Sequence, residues 1–367
     1  MNRPTEFAEE RVLTPALLVD PDRVRQNLEH MLEMVNGDAS RLKPHIKTNK
    51  SRDVLNLFLE FGIDQVKCAT LAEVELAATS GMVKILFCKQ ASISELDWIL
   101  SFQQSNPGLH FSVLCDSLDH FKVMESYIRD RKSKLGIVVD INCGMSRTGI
   151  EFGPKATDLI RAISQSPVLS MLGLQFYDGH ATSPDINKRE DQFDDWLIPV
   201  QDWLHSDLEG KIPIDEIMAG GSPTFSFVAE KTDWLCCPGT TVFWDYGYDS
   251  KYPEYLFKPA VTVACRVISI PEPDVYCLDL GHKAIASENP INKRVFFPDF
   301  PEAEFIKHSE EHLVIKLNAK SPLRIGTIMH GIPWHICPTI ALYDRLLVLE
   351  NNGGFSGVWN VSARTRL

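Results

Sequence analysis

LKPHIKTNKSRDVLNLFLEFGIDQVKCATLAEVELAATSGMVKILFCKQ, residues 42–90, holds three short β-rich runs separated by two helix-like segments. The runs are LKPHIKT (42–48), QVKCAT (65–70) and KILFCKQ (84–90). Between them, SRDVLNLFLEFG and LAEVELAATSG carry apolar residues three and four positions apart, the mark of one helix face. Short apolar strands alternating with helices require parallel strands joined by right-handed crossovers. The alternation continues through HFSVLCDS (110–117), LGIVVDIN (135–142), LGLQFYDGH (172–180), EIMAGGS (216–222) and DWLCCPGT (233–240). Eight such units in about 200 residues predict a (β/α)8 TIM-type barrel over 41–245. An open sheet built for a dinucleotide would carry GxGxxG after an early strand, and the sequence has none there.

Beyond Asp245 the texture changes. AVTVACRVISI, DVYCLDLG, LVIKL and RLLVLE are set apart by Pro, Gly, Asn and charged turns, with little helical periodicity. This predicts a mostly antiparallel β domain over 246–367. The segment 1–40, with its TPALLVD run, is expected to form a strand and a helix packing with that domain. A chain of 367 residues suits one large domain and a smaller one.

Net charge is -12, a field that repels nucleic acid and anionic membrane surfaces. The opening MNRPTEFAEERVLTP lacks the apolar stretch of an export signal, and no apolar run approaches the roughly 18 residues of a membrane span. Nine cysteines, an odd number scattered mostly through apolar runs, read as reduced thiols of a cytoplasmic protein.

Barrel enzymes carry their chemistry at the C-terminal ends of the strands. Those ends here present Lys47, Gln90, Asp116, Asn142, Tyr177, Asp178, His180, Gly221, Ser222, Gly239 and Thr240. By alternation His45 and Lys47 point into the barrel. Alone, Lys47 reads either as a solvent-reaching lysine or as an amine that partial desolvation readies for a Schiff base. AGGSPT (219–224) ends the seventh run. Gly220 and Gly221 let backbone approach an anion, and Ser222 and Thr224 add hydroxyls. Gly239 and Thr240 in CPGTT follow at the next strand end, where barrel phosphate sites lie; an empty tight turn is the plainer reading of either motif. In HGIPWHICPT (330–339), His335 and Cys337 would share one side of an extended chain. They read as half of a zinc site or as a buried cysteine beside a satisfied histidine. Arg147 in VDINCGMSRTG faces a cofactor or anchors a loop. Tyr177 and His180 in YDGH offer a phenol and an imidazole, or a plain turn.

As a set these stretches resemble the fold-type III pyridoxal 5′-phosphate enzymes related to alanine racemase, nearest the D-threonine aldolase and D-serine dehydratase branch. TPALLVD, KPHIKTNKS, QVKCATLAEVE, VDINCGMSRTGI, YDGH, AGGSPT, CPGTTVFWD, LDLGHK and HGIPWHICPT occur in the family's order across residues 14–340. The resemblance implies Lys47 as the Schiff-base lysine, AGGSPT as the phosphate cradle, and Tyr177 and Arg147 beside the cofactor. It also implies a divalent metal on His335 and Cys337, and a homodimer. Two positions depart from the pattern. Asn49 replaces a histidine, and Trp334 stands where relatives carry asparagine ahead of the metal histidine. Relatives with His-x-Asp suit harder Mn or Mg, whereas the thiolate of Cys337 favours zinc.

The activity implied is a lyase acting on small D-β-hydroxy-α-amino acids, with D-threonine aldolase-like cleavage to glycine and an aldehyde as the leading reading. Deamination of D-serine or 3-hydroxyaspartate needs the same parts. An amino-acid racemase would need a second base, typically a tyrosine from the β domain, which the sequence does not identify, Tyr276 coming nearest to one; a non-enzymatic PLP carrier would need no β domain.

Overall fold

The computed structural model describes residues 12–318, 322–350 and 353–365; the acidic opening, 1–11, lies outside them. Its contacts divide the chain into two compact units. One comprises Leu32–Lys47 and Phe58–Gly239; the other runs to Met31 and takes in Thr48–Leu57 and Thr240–Thr365.

In the first unit, Gln65–Cys68, Lys84–Gln90, His110–Cys115, Leu135–Asn142, Leu169–Phe176, Glu216–Ala219 and Leu235–Cys236 pair in that order, every pair parallel. The eighth stave, 42–46, closes the ring by single bridges: Leu42 beside Cys236 and His45 beside Lys67. The amide of Lys43 donates to Cys236 O at 2.9 Å and that of Ile46 to Lys67 O at 3.0 Å. Pro44 has no N–H to give, which interrupts the ladder and leaves this stave bridged rather than fully paired. The (β/α)8 barrel expected from the alternation is therefore present, with its first stave as the seam.

Helices start where a short polar side chain follows a strand. Thr70, Ser92, Ser117 and Asp185 each cap the helix behind them, and Ser92 forms a reciprocal capping box with Glu95. Inside the barrel, Leu86, Leu114, Val138, Met218 and Cys237 fill the waist, with Cys88, Leu172 and Leu235 packed against them. Below that layer Lys43, 2% exposed, meets Glu216 at 2.5 Å, and Lys84 reaches the same carboxylate at 3.3 Å.

The second unit is a mostly antiparallel sheet ordered Glu304–His308, Leu313–Lys316, Val275–Leu278, Val261–Glu272, Ala16–Val19, Arg345–Leu349 and Phe355–Asn360. Ile328–Pro333 branches from Val261–Glu272 and pairs with Val295–Phe296. Ala16–Val19, from TPALLVD, lies antiparallel to Val261–Glu272 and parallel to Arg345–Leu349, with Leu18 opposite both Thr262 and Leu347. All nine cysteines are free thiols. Among the described residues no helix is long and apolar enough to cross a membrane.

Candidate active site

Two sets of side chains gather the residues singled out by sequence, one in each unit. In the barrel unit, Lys43, His45 and Lys47 alternate along the seam stave; Lys43 is buried, His45 half-buried and Lys47 exposed. The desolvation anticipated for Lys47 is therefore not seen. Its backbone N–H donates to His45 Nδ1 at 3.2 Å.

The glycine loop is built from within. Gly220 has φ +77°, and a Cβ there would lie 2.8 Å from Val228 Cγ2 and 3.1 Å from Thr224 Oγ1. Only glycine fits both the left-handed backbone and the space. The Gly221 amide donates to Thr224 Oγ1 at 3.3 Å, and that hydroxyl donates to Asp178 Oδ1 at 3.0 Å. Thr224 thus gives its one proton to Asp178, beyond the end of another strand, and its hydroxyl has none left for an anion, a correction to its expected place as a phosphate donor. Ser222 Oγ accepts the Gly239 amide at 3.2 Å, which ties the two glycine turns together. Burial pushes the Asp178 carboxyl up to about 7 against the pull of the Thr224 hydroxyl.

Tyr177 lies beside this loop. A Cβ on Gly221 would stand 3.3 Å from its ring, and one on Gly179 would stand 2.6 Å from it. The Arg147 guanidinium lies 5.0 Å from the Tyr177 ring centre, within cation–π range. Asp140, Asn142, Met145, Arg147, Thr148 and Tyr177 line one small cleft. His180 rests against Gly144, where a Cβ would meet its Nε2 at 2.7 Å. Partial burial lowers the His180 pKa, which favours a neutral imidazole able to take a proton.

In the β unit, His335 has extended backbone and Cys337 lies in the first turn of the short helix Ile336–Ile340. The sequence reading put both on an extended chain. They meet instead because Asp245 Oδ2 accepts the Ile336 amide at 3.0 Å and starts the helix there. The Cys337 sulfur is 3.0 Å from Thr48 Oγ1 and 3.6 Å from Thr240 Oγ1, so Thr240 belongs with the thiol. His335 Nδ1 and Glu288 Oε1 are 2.6 Å apart. Burial works to raise the Cys337 thiol, but the His335 imidazole and Thr48 hydroxyl outweigh it and hold the thiol below its usual range. Burial likewise opposes charge on His335, yet Cys337, Glu288 and Asp245 push it up to about 9.

Both sets suit the groups the sequence pointed to. A backbone cradle that a Cβ would fill, beside a stacked phenol, fits a phosphorylated planar cofactor. A thiol and an imidazole whose other nitrogen is held by a carboxylate fit a transition metal. Among the described residues no group of three His, Cys, Asp or Glu is placed to hold an ion, so His335 and Cys337 would leave coordination positions open to water or substrate.

Sequence reasoning missed Glu288, Thr48 and Asp245. Asp245 closes the VFWD motif and was within reach; Glu288, in the featureless ASENP, carried no signal. Tyr276, the racemase candidate, is 1% exposed and its phenol accepts the Leu323 amide, so it belongs to the core.

A family model described as the alanine racemase N-terminal domain matches residues 19–246, and one described as “Putative serine dehydratase domain” matches 260–349. The chain is 24% identical to a 3-hydroxy-D-aspartate aldolase of Paracoccus denitrificans, over 97% of this chain and 93% of that protein. A D-threonine aldolase of Filomicrobium marinum shares the fold with a TM-score of 0.87 at 22% identity, covering 97% of this chain and 96% of that one. A D-threo-3-hydroxyaspartate dehydratase is also similar. Its cysteine-to-alanine variant, described as metal-free, has a TM-score of 0.81 at 19% identity over 98% and 99% of the two chains. A second variant, with a histidine two positions earlier changed to alanine, has a TM-score of 0.79 at 19% identity over 98% and 97%. With more than half its length matched by the first model, the chain belongs to the alanine racemase N-terminal domain family, the fold-type III pyridoxal-phosphate enzymes.

Proposed function

We propose that this chain is a pyridoxal-phosphate- and divalent-metal-dependent lyase that splits D-β-hydroxy-α-amino acids into glycine and an aldehyde. The observation that carries the reading is at the end of the seam stave. Thr48, the residue that follows Lys47, sets its hydroxyl 3.0 Å from the Cys337 sulfur.

When bound, the cofactor supplies an electron sink for the bond broken at Cα. Lys47 would hold it covalently, Gly220, Gly221, Ser222 and Gly239 would face its phosphate, and Tyr177 and Arg147 would flank its ring. A cation on His335 and Cys337 would acidify a hydroxyl that touched it. Glu288 holds His335 Nδ1, so that Nε2, on the side of Cys337, would be the nitrogen offered to a cation. His180, kept neutral by its setting, is the candidate acceptor for the β-hydroxyl proton. The thiolate favours zinc over manganese or magnesium. The same reading makes the working form a cytoplasmic homodimer, which equilibrium sedimentation of the purified chain checks.

Deamination to a keto acid is the second reading. It draws on the dehydratase relative, whose altered cysteine and histidine have the same two-residue spacing as His335 and Cys337. The full-length likeness to an aldolase favours cleavage. Purified protein with the cofactor and Zn or Mn, offered D-threonine, D-allothreonine, D-serine and D-3-hydroxyaspartate, decides. Glycine and an aldehyde, lost with a chelator or in Lys47→Ala, are expected. A keto acid with ammonia would replace cleavage by deamination, and formation of the enantiomer alone would refute both.

A further inference from the structure

Three neighbouring barrel strands end in amide and carboxylate side chains that the chemistry above does not use. Lys84–Gln90 and His110–Cys115 pair regularly until Phe87 stands opposite Val113; the register then slips, and Gln90 stands opposite Leu114. A bulge of this kind re-aims the side chain beyond it. Here the Gln90 amide nitrogen donates to Asp116 Oδ2 at 2.9 Å and to Asp140 Oδ2 at 3.1 Å. The other Asp140 oxygen accepts Gln175 Nε2 at 2.8 Å. Asp116 Oδ2 also accepts the backbone N–H of Gly149 at 3.1 Å.

Gly149 ends the loop 142–149. The loop's near end is held by Asn142 Oδ1, which accepts the amides of Gly144 at 3.1 Å and Ser146 at 3.0 Å. At the far end Gly149 has φ +99°, and a Cβ there would lie 2.6 Å from the Asn142 nitrogen. Between the two anchors stands Arg147, exposed, with its guanidinium over Tyr177. A long exposed arginine keeps one direction only if its backbone is fixed, because its rotamer freedom opposes any single placement.

We infer that Gln90 and Asp116 are positioning residues for Arg147: the bulge delivers Gln90 to Asp116, and Asp116 clamps the far end of the arginine loop. The inference rests on the reading of Arg147 as a neighbour of the cofactor.

The test is a double-mutant cycle in cofactor affinity, read by absorbance titration of the apoprotein with pyridoxal phosphate. Losing a hydrogen bond to a charged group should let Asp116→Ala weaken binding about tenfold. Asp116→Asn, whose carbonyl still accepts from Gly149, should restore most of it. In an Arg147→Ala background, Asp116→Ala should add nothing, since it acts through that arginine. Losses that multiply in the double variant, or unchanged affinity in Asp116→Ala, would overturn the inference. Should Asp116→Ala not fold, Gln90→Met serves: a smaller loss that vanishes without Arg147 supports the clamp, and a loss that persists refutes it. If the wild type binds no cofactor, the proposed function falls, and hydrogen exchange of the cofactor-free protein then decides. Faster exchange across 144–149 in Asp116→Ala supports the clamp; unchanged exchange sinks it.

Discussion

Asp178→Asn should stabilise the protein, and by an amount that grows with pH. Asp178 is 2% exposed, and its Oδ1 accepts the Thr224 hydroxyl at 3.0 Å. Burial lifts its carboxyl from 3.8 to about 7. The folded state therefore holds this proton over a window where the unfolded chain has lost it. Stability from the protonated form is complete below about 4, falls as pH rises, and is gone above about 7. The whole rise spans about three pH units at about 1.4 kcal/mol each. Two of them lie between pH 5 and 8, so the wild type should lose about 3 kcal/mol over that interval through this group alone. Asparagine accepts from Thr224 through its carbonyl and never ionises. Thermal unfolding of both proteins without cofactor, followed by circular dichroism at pH 5 and 8, isolates the effect, because every other titrating group cancels in the difference. The variant's advantage in Tm should widen by roughly 4 °C from pH 5 to 8 in a chain of 367 residues. Parallel curves of Tm against pH would refute the reasoning and show Asp178 ionising freely in the fold.

Gly220→Ala forces a left-handed alanine whose Cβ lies 2.8 Å from a Val228 methyl. It should lower stability by about 1–2 kcal/mol from the backbone alone and weaken cofactor binding, as denaturant melts and absorbance titration would report. Glu288→Gln leaves the His335 ring a weaker partner, and chelator competition should show metal affinity down about 10- to 100-fold. Glu216→Gln strands the buried Lys43 ammonium, and urea unfolding should show a loss of about 3 kcal/mol, restored in part by Lys43→Met.

The barrel was legible because its staves are short apolar runs and its helices open on visible caps such as Ser92 with Glu95. Its seam was not, since a residue pattern cannot show that Pro44 reduces a strand to single bridges. His335 and Cys337 were paired by their spacing, yet for the wrong geometric reason. The backbone turns helical after His335 because Asp245, ninety positions earlier, captures the Ile336 amide. Thr224 lay inside the right motif, but its hydroxyl is claimed by a residue from another strand end. Glu288 was invisible because an acid in an irregular loop gains meaning only from the histidine folded against it.

The seam has a consequence for how the barrel comes together. Most staves meet a near neighbour in the chain; Val66 reaches Ile85 after 19 residues. Leu42 meets Cys236 across 194. A contact so distant in sequence is slow to find, and this one has few backbone bonds to hold it once found. The lysine stave is therefore expected to dock last during folding, which pulsed hydrogen exchange on the backbone amides of Lys43 and Ile46 would test. The glycine turns sit at the ends of the seventh and eighth staves and Lys47 at the end of the first, so under the proposed function the two lips of the seam would carry the two ends of the cofactor's grip. Anything bound to both would act as a clasp on the ring, and chains that failed to close it would be the ones exposed to proteolysis.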